Sequence, residues 1–383
     1  MKIAVLKERR PHEHRVAATP ETVKKLCAMG YAVAVETGAG LTAACTDAAY
    51  AAAGGQIGGL AETIADADIV IKVQRPLTSS EGESELESIK SGAVLIAILN
   101  PYGAKDALAD FAKRGVTSLA MELVPRITRA QSMDVLSSQA NLAGYKAVLD
   151  AAAEFGRAFP MMMTAAGTIP PTRVMVMGAG VAGLQAIATA RRLGAIVSAT
   201  DVRLAAKEQV QSLGATFVVA ESDELKSAET AGGYAKEMSE DFKQKQAALI
   251  AETLKKQDIV ICTALIPGRA APRLISEEMV RSMKPGSVII DLAVEQGGNC
   301  ALSRPGEIVD VDGVKIVGHY NVPSRLAVDA SALYARNILN FITVCHDKES
   351  KSLKLNPEDD IVKAMLLTHA GKIVHPQFAP KES

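Results

Sequence analysis

Three glycines and one aspartate are spaced as a phosphate-binding turn requires. Gly178, Gly180 and Gly183 follow an apolar run and open a segment of helical pattern, and Asp201 ends the next apolar run. In a G-x-G-x-x-G series the first glycine makes a tight turn, the second lets the backbone approach a pyrophosphate, and the third lets helix and strand pack closely. A carboxylate about 20 residues further on accepts hydrogen bonds from a ribose. The glycines alone would be weak evidence, but strand, helix and acid together predict a dinucleotide site.

Asp201 also bears on which dinucleotide binds. A 2′-phosphate on the ribose would meet the like charge of this carboxylate at about 4 Å, a repulsion of about 1 to 4 kcal/mol. We therefore expect a preference for NAD(H) over NADP(H). Arg203, two residues further on, is expected to soften that preference.

Two other stretches are rich in polar side chains. Residues 126–145, RITRAQSMDVLSSQANLAGY, concentrate arginine, glutamine, aspartate and serine between apolar segments. From the residues alone, a capped helix start is the favoured interpretation. Residues 221–246 are polar and charged, with Tyr234 after a glycine pair. Their composition favours a solvated surface excursion, but a lid that covers a flat ring is the alternative, because a glycine pair can act as a hinge.

The elements that position these residues alternate between short β-branched runs and longer segments of helical period. That order is typical of parallel α/β layers. The chain has 383 residues, which is more than one hydrophobic core usually supports. We therefore predict an α/β fold of two Rossmann-like parallel-sheet domains joined by long helices, with a cleft between them. The predicted strands span residues 2–6, 32–36, 69–73, 94–99 and 117–121, then 173–177, 196–200, 216–219, 259–262, 288–291 and 315–317.

Helix signals predict where the chain passes between the domains. Helical spacing of apolar residues predicts a linking helix that begins near Ser132 and ends at Phe155, and a second long helix over residues 329–344. The first domain is accordingly predicted over residues 1–131 and 329–383, and the dinucleotide-binding domain over residues 132–328. Near the start of the chain, Thr19 as N-cap, Pro20 at the first helical position and Gly30 as a stop predict the helix of a βαβ unit.

Composition excludes several classes of protein. Lys and Arg total 42 against 43 Asp and Glu, so no strong positive field is present to recruit nucleic acid. Five scattered cysteines argue against a disulfide framework or a zinc site. His12 and His14 have no further histidine or cysteine nearby, so no metal site is predicted. The first apolar run is too short for a signal peptide. We predict no membrane-spanning segment, and we expect the chain to stay in the cytoplasm.

A set of longer motifs carries a resemblance to a known family. KERRPHEHRVAATPETVKKL, KVQRPL, MELVPRITRAQSMDVLSSQANLAGYKAV, FPMMMTAAGTIPP, AETAGGYAKEM, TALIPGRAAP and GSVIIDLAVEQGGNC together resemble the NAD(H)-binding alpha subunit, domain I, of proton-translocating NAD(P) transhydrogenase. That family is similar to alanine dehydrogenases. The segment of residues 126–145 is far more specific to the resemblance than the glycine series.

The resemblance implies roles for particular residues. Gln131 and Asp134 would orient the carboxamide and ribose at the nicotinamide end, and Arg126 would lie over the face where hydride is exchanged. These three are the implied catalytic residues, and Tyr234 matches a loop that closes on the nucleotide. The implied cofactor-binding residues are Ser137, Gly178, Gly180, Val181, Ala182, Gly183, Asp201, Val202, Arg203, Tyr234, Ala264 and Leu265.

The resemblance also implies partners. This chain would form a homodimer and hold NAD(H), while NADP(H) would be held by the NADP(H)-binding domain of a partner, because the chain contains one dinucleotide fingerprint. Membrane-spanning proton-channel subunits would complete the assembly. The chain would then lie peripherally on the inner face of the cytoplasmic membrane.

Two other functions remain open from the sequence. Arg15 and Lys72 match the substrate-binding arginine and lysine of alanine dehydrogenases, so a soluble NAD-dependent enzyme of that kind is one alternative. It would need an acid or base near the substrate, but Asn100 stands where that family has a histidine, and Glu295 replaces its aspartate. We therefore expect Arg15 and Lys72 to form structural ion pairs. A non-catalytic NAD-sensing module is the other alternative.

Overall fold

The computed structural model describes residues 1–82, 84–220 and 239–380. The chain divides into two compact units. Unit 1 comprises Met1–Gln139 with Pro323–Ser383, and unit 2 comprises Ala140–Val322. Tyr234, which the sequence assigned to a lid or a surface excursion, lies outside the described residues.

Strands and helices alternate along most of the described chain. The strands are β1 Lys2–Val5, β2 Ala32–Glu36, β3 Gln56–Gly58, β4 Ile69–Gln74, β5 Val94–Ile98, β6 Thr117–Ala120, β7 Met162–Thr164, β8 Gly167–Ile169, β9 Arg173–Met177, β10 Ile196–Thr200, β11 Thr216–Phe217, β12 Ile259–Cys262, β13 Val288–Asp291, β14 Ile308–Val311, β15 Val314–Val317, β16 His346–Asp347, β17 Ser352–Leu353, β18 Leu366–His369 and β19 Lys372–Ile373. The α-helices are α1 Pro20–Ala28, α2 Asp47–Ala52, α3 Leu60–Ile64, α4 Lys105–Arg114, α5 Val135–Glu154, α6 Val181–Arg192, α7 Ala206–Ser212, α8 Glu240–Leu254, α9 Glu277–Arg281, α10 Ala327–Val344 and α11 Asp360–Met365. Short 3-10 helices span Leu41–Ala43, Ser79–Glu81, Leu86–Ser88, Met121–Leu123, Thr128–Met133, Val294–Gln296 and Val322–Leu326.

Unit 1 is built on a sheet whose strand order, among the described residues, is β19-β18-β6-β5-β4-β1-β2-β3. The strands from β6 to β3 are parallel, whereas β18 pairs antiparallel with β6 and with β19. Apolar side chains are buried on both faces of the sheet, which is why its central strands are continuous apolar runs. No strand was predicted after residue 344, yet the tail completes this sheet.

Unit 2 is built on a second sheet, with strand order β11-β10-β9-β12-β13-β15-β14 in the described residues. All pairs are parallel except β14 with β15. The order reverses at β9, since β10 lies on one side of it and β12 on the other. In doubly wound sheets of this order, dinucleotides bind outside the carboxyl ends of the strands at that reversal.

The helix ends follow local chemistry. The Thr19 hydroxyl accepts the backbone N–H of Thr22 at 3.4 Å, Pro20 is the first residue of α1, and Gly30 follows its end with φ of +97°. That helix was predicted from the same three residues, and the prediction is confirmed.

The linking helix differs from its prediction. It begins at Val135 rather than near Ser132, because Thr128–Met133 form a 3-10 helix and the Asp134 carboxylate then accepts the Ser137 N–H at 2.9 Å. An N-cap of this kind satisfies a backbone donor at the start of a helix and sets where it begins. Strand ends also differ by one or two residues: β11 ends at Phe217, for example, instead of residue 219.

Among the described residues, no helix has the length and apolar content needed to cross a membrane.

Candidate functional site

In unit 2, the glycine turn lies between the carboxyl end of β9 and the start of α6. The Gly178 N–H donates to Thr200 O at 2.9 Å, and the Thr263 hydroxyl donates to Gly178 O at the same distance. Gly178 has φ of +103°, and a Cβ atom there would lie 2.7 Å from the Thr263 hydroxyl oxygen. Glycine is therefore required here both by backbone conformation and by space. The sequence analysis missed Thr263, which directly follows the β12 strand.

Gly180 and Gly183 have different surroundings. A Cβ atom on Gly183 would approach Gly178 O to 1.8 Å, whereas a Cβ atom on Gly180 would meet nothing within 4 Å. Gly180 is the N-cap of α6, and no side chain of the described residues caps that helix. The first N–H groups of a helix lack intrahelical partners and attract anions. The turn thus has open space and backbone donors where a pyrophosphate would approach, so its residues fit a dinucleotide.

Helix α6 is also pressed against the long helix α5. A Cβ atom on Gly144 would lie 2.0 Å from Ala182 O, so the backbones of the two helices approach at a distance that only glycine permits. Gly144 lies in the polar stretch of residues 126–145, and a portion of that stretch therefore serves to place the start of α6.

Asp201 ends β10 beside the glycine turn. Its carboxylate accepts the N–H of Ala179 at 2.7 Å and the N–H of Arg203 at 2.8 Å. The Arg203 guanidinium donates to both carboxylate oxygens, at 3.0 and 3.1 Å. The pKa of Arg203 is raised, mainly by this hydrogen bond to Asp201. The acid expected to hold a ribose is thus already paired with the arginine two residues further on.

Apolar side chains are exposed around the same edge of the unit 2 sheet. Val202 is 76% exposed, and Val181 and Leu265 are also exposed. Ala264 follows β12 and is held by the buried side chain of Asn299, which accepts its N–H at 3.0 Å and donates to its carbonyl at 2.9 Å. The sequence analysis gave Asn299 no role, although it lies in the motif GSVIIDLAVEQGGNC.

In unit 1, the predicted nicotinamide-facing residues lie on one loop and the helix start that follows it. Arg126 and Gln131 are exposed, and Asp134 and Ser137 are partly buried. The Asp134 carboxylate accepts from both the backbone N–H and the hydroxyl of Ser137, at 2.9 and 2.5 Å. Asp134 is therefore a helix cap here, which agrees with the interpretation drawn from the residues alone.

This loop is anchored from both sides within unit 1. The side-chain amides of Asn337 and Asn340, on α10, donate to Ser132 O at 2.8 and 3.0 Å. The Arg129 guanidinium pairs with Asp359 at 2.7 Å, and this hydrogen bond lowers the pKa of Asp359. Gln131 therefore projects from a backbone whose neighbours on each side are held.

Arg15 and Lys72 are buried in unit 1 and form ion pairs. Arg15 is 3% exposed and donates to Glu13 at 2.6 and 2.8 Å and to Gln139 at 2.8 Å. Lys72 is 1% exposed and lies 2.9 Å from a Glu85 carboxylate oxygen. The structural ion pairs expected from the sequence are present.

Two carboxyl groups of unit 1 have raised pKa values. Burial raises the pKa of Glu8 to about 7, against the opposing charge of Lys72, whose ammonium lies 3.5 Å away. Burial also raises the pKa of Glu122 to about 7, although the N–H groups of Leu99 and Asn100 donate to that carboxyl. Asn100, at the position where alanine dehydrogenases were expected to have a histidine, adopts φ of +50°.

The predicted site residues therefore form two groups. Within unit 2, the structure gathers ten of them at the carboxyl ends of β9, β10 and β12, namely Gly178, Gly180, Val181, Ala182, Gly183, Asp201, Val202, Arg203, Ala264 and Leu265. Within unit 1, it places Arg126, Gln131, Asp134 and Ser137 on one loop and helix start. In the portion of the chain that the structure describes, no group of three or more potential metal ligands occurs.

Sequence families assign the chain. The family described as "Alanine dehydrogenase/PNT, N-terminal domain" matches residues 4–143, and "Alanine dehydrogenase/PNT, C-terminal domain" matches residues 147–376. The chain belongs to the alanine dehydrogenase/PNT family.

Individual relatives agree with this assignment. An NAD(P) transhydrogenase subunit alpha of Rhodospirillum rubrum is 60% identical over 377 residues, which are 98% of each chain. A crystal structure of transhydrogenase from Sinorhizobium meliloti has a TM-score of 0.88 at 54% identity, covering 98% of this chain and 100% of that one. A solved L-alanine dehydrogenase has a TM-score of 0.82 at 26% identity, covering 99% of this chain and 98% of that one. The predicted resemblance and the predicted α/β fold with two Rossmann-like domains are confirmed.

Proposed function

We propose that this chain binds NADH and passes its hydride to NADP⁺ held by a partner domain, as one component of a proton-translocating transhydrogenase. The observation that carries the proposal is the pairing of Arg15 with Glu13 and of Lys72 with Glu85, both buried. These cations would be needed to bind a keto acid, and here glutamates occupy them. A buried charge pair is strongly destabilised when one partner is withdrawn, so exchange of a glutamate for a substrate carboxylate is unfavourable.

The chemistry of the proposed reaction matches the residues present. Bound NADH would supply the hydride, and transfer between two nicotinamide rings releases no proton at the reacting carbon. Such a step needs rings held at about 3 to 3.5 Å rather than an acid or base. An alcohol or amine dehydrogenase would need such a group, and Asn100 at the end of β5 has an amide that does not titrate.

Each group of site residues has a role in this proposal. The turn from Gly178 to Gly183 binds the pyrophosphate, and Asp201 accepts from the adenosine ribose. Gln131 and Asp134 orient the carboxamide and ribose of the nicotinamide half, and Arg126 lies over the exchange face. Support for the last three comes from the family resemblance and from the anchored loop that carries them.

The partners follow from the same proposal. The Rhodospirillum rubrum relative is called a subunit alpha, a name that implies further subunits in that protein. We propose that this chain forms a homodimer, docks an NADP(H)-binding domain, and works with membrane-spanning proton-channel subunits. It would then act on the cytoplasmic side, peripheral to the membrane. Si-Re specificity of the hydride transfer belongs to the same proposal.

A reconstituted transfer assay tests this function. The chain is mixed with the separately produced NADP(H)-binding domain, and reduction of thio-NADP⁺ by NADH is followed at a wavelength where NADH does not absorb. We expect transfer only when both proteins are present. Binding of NADH without any transfer would favour a non-catalytic sensing module instead.

A pair of variants locates the chemistry. Gln131→Asn shortens the exposed loop amide and should lower the transfer rate by about tenfold, which corresponds to about 1.4 kcal/mol of transition-state stabilisation. Gln56→Asn changes another exposed glutamine, on the edge strand β3 of the same unit, and should leave the rate unchanged. Equal rates for both variants and the wild type would contradict a role for Gln131.

A further inference from the structure

Asn299 makes an unusually complete set of hydrogen bonds for a side-chain amide. It is 0% exposed. Its oxygen accepts the Ala264 N–H at 3.0 Å, and its nitrogen donates to Ala264 O at 2.9 Å and to Pro272 O at 2.8 Å. Both amide hydrogens and one oxygen lone pair are therefore engaged. Because the amide occupies both polar groups of the Ala264 backbone, Ala264 has an apolar surface rather than hydrogen bonds to offer a ligand.

The backbone of Asn299 holds the same segment at its other end. Its carbonyl accepts the N–H of Leu274 at 2.8 Å and of Ile275 at 3.0 Å. The side chain and the backbone of one residue thus fasten residues 264 and 272–275. Between these points, residues 265–270 are exposed. Asn299 closes an exposed loop directly after β12.

Asp291, at the end of β13, holds Asn299 in turn. Its carboxylate is buried and accepts the N–H of Asn299 at 3.2 Å, the N–H of Cys300 at 2.9 Å and the hydroxyl of Ser303 at 2.7 Å. The loop after β12 is therefore supported through Asn299 by the end of the neighbouring strand.

The sheet order places this loop relative to the dinucleotide. Asp201 ends β10, on one side of β9, whereas Ala264 follows β12, on the other side. In doubly wound folds the acid after the second strand holds the adenosine ribose, and the dinucleotide crosses the strand reversal. The half that crosses to the β12 side is the nicotinamide half.

We propose that Asn299 is a positioning residue for the nicotinamide half of the bound dinucleotide. It acts by fixing the Ala264 peptide and by presenting the exposed side chains of Leu265 and Ile266 at the carboxyl end of β12. The inference rests on the proposed binding of NADH. It adds a specific consequence: Asn299 should matter for NADH and not for a fragment that ends at the pyrophosphate.

Binding of two ligands to two variants tests this inference. The Kd values of NADH and of ADP are measured by calorimetry for the wild-type chain, for Asn299→Ala and for Thr172→Val. Thr172 is a matched control, because it is 0% exposed in unit 2 and its hydroxyl donates to Ala158 O at 2.8 Å, before the amino end of β9. Thermal unfolding of each variant is recorded in parallel.

The expected pattern is selective. Asn299→Ala should raise the Kd of NADH by about tenfold, the scale of one buried hydrogen-bond set left unpaired, and should leave the Kd of ADP within a factor of about two of wild type. Thr172→Val should lower the unfolding temperature without changing either Kd. If Asn299→Ala does not fold, Asn299→Asp carries the test, because it keeps the side-chain size and removes the two donors.

Other patterns would overturn the inference. Equal weakening of NADH and ADP binding would show that Asn299 acts on the whole unit, and unchanged binding of both would show no positioning role. A wild-type chain that binds ADP and not NADH would overturn the proposed function as well, so the two failures are distinguishable.

Discussion

A side chain on Gly183 would collide with the backbone of Gly178, since a Cβ atom there would lie 1.8 Å from the Gly178 carbonyl oxygen. This contact joins the start of α6 to the end of β9. It shows that the third glycine of the series is required for packing, while the second, Gly180, has open space around it. The two positions can therefore be separated by experiment.

Alanine at Gly180 and at Gly183 should have different effects. Gly183→Ala should lower the free energy of unfolding by about 1 to 3 kcal/mol through overpacking and should also weaken NADH binding. Gly180→Ala should change that free energy by less than about 1 kcal/mol, because φ of −77° suits alanine. Its Cβ would still enter the space for a pyrophosphate and weaken binding. Denaturant unfolding and NADH titration distinguish the two, and equal stability losses would contradict this assignment.

Asp201 should control the choice between NADH and NADPH. In the wild-type chain we expect NADPH to bind at least about tenfold more weakly than NADH, because the 2′-phosphate meets the Asp201 carboxylate. Asp201→Asn should reduce that ratio, since it removes the like charge and releases the Arg203 guanidinium from its ion pair. The Arg203→Leu variant is the control, and should not improve NADPH binding. Equal affinities in the wild-type chain would refute the expected preference.

Asp134 is expected to have two separable roles. Asp134→Ala removes the acceptor for the Ser137 N–H and should lower the free energy of unfolding by about 1 kcal/mol. Asp134→Asn keeps a good N-cap, so its stability should stay near wild type. Hydride transfer in the reconstituted assay should fall in both variants if the carboxylate orients the nicotinamide ribose. A wild-type rate in Asp134→Asn would leave capping as its role.

The raised pKa of Glu122 predicts how stability depends on pH. Its folded pKa is about 7 and its ordinary value is 4.5, so between these pH values the unfolded chain binds fewer protons than the folded one. The contribution of this group to stability is full below about pH 4.5 and is lost as the pH rises through 7. Glu122→Gln should remove that loss and raise the unfolding free energy at pH 8 by about 2 kcal/mol relative to wild type. Urea titrations of both proteins at pH 5 and pH 8 test this, and an equal difference at both pH values would be inconsistent with it.

The buried ion pairs predict that a histidine alone does not create an alanine dehydrogenase. With pyruvate, ammonium and NADH, neither the wild-type chain nor Asn100→His should oxidise NADH, because Arg15 and Lys72 remain paired with Glu13 and Glu85. Absorbance of NADH over time is the measurement. Retained NADH binding by Asn100→His is the control for folding. Turnover of pyruvate by the wild-type chain would overturn the proposed function.

Local sequence patterns were sufficient to predict most elements of the fold. The strands at residues 32–36, 173–177 and 196–200 have the predicted bounds, because each is a β-branched run between breaking residues. The patterns failed where an element is very short or lies in the tail. β18 and β19 have four and two residues, and their existence depends on the exposed edge of β6, which no local pattern reveals.

Residue type and spacing by themselves determined the glycine turn, its acid, the capped helix start and the parallel α/β order, since these follow from backbone geometry within a few turns of chain. Tertiary structure alone decided which distant groups meet. Asn299 is 35 residues from Ala264, and Arg15 is 124 residues from Gln139. Hydrophobic periodicity specifies which face of an element is buried, but the partner of a buried polar group is set by how the elements pack. For that reason the support behind the predicted site emerged only from the fold.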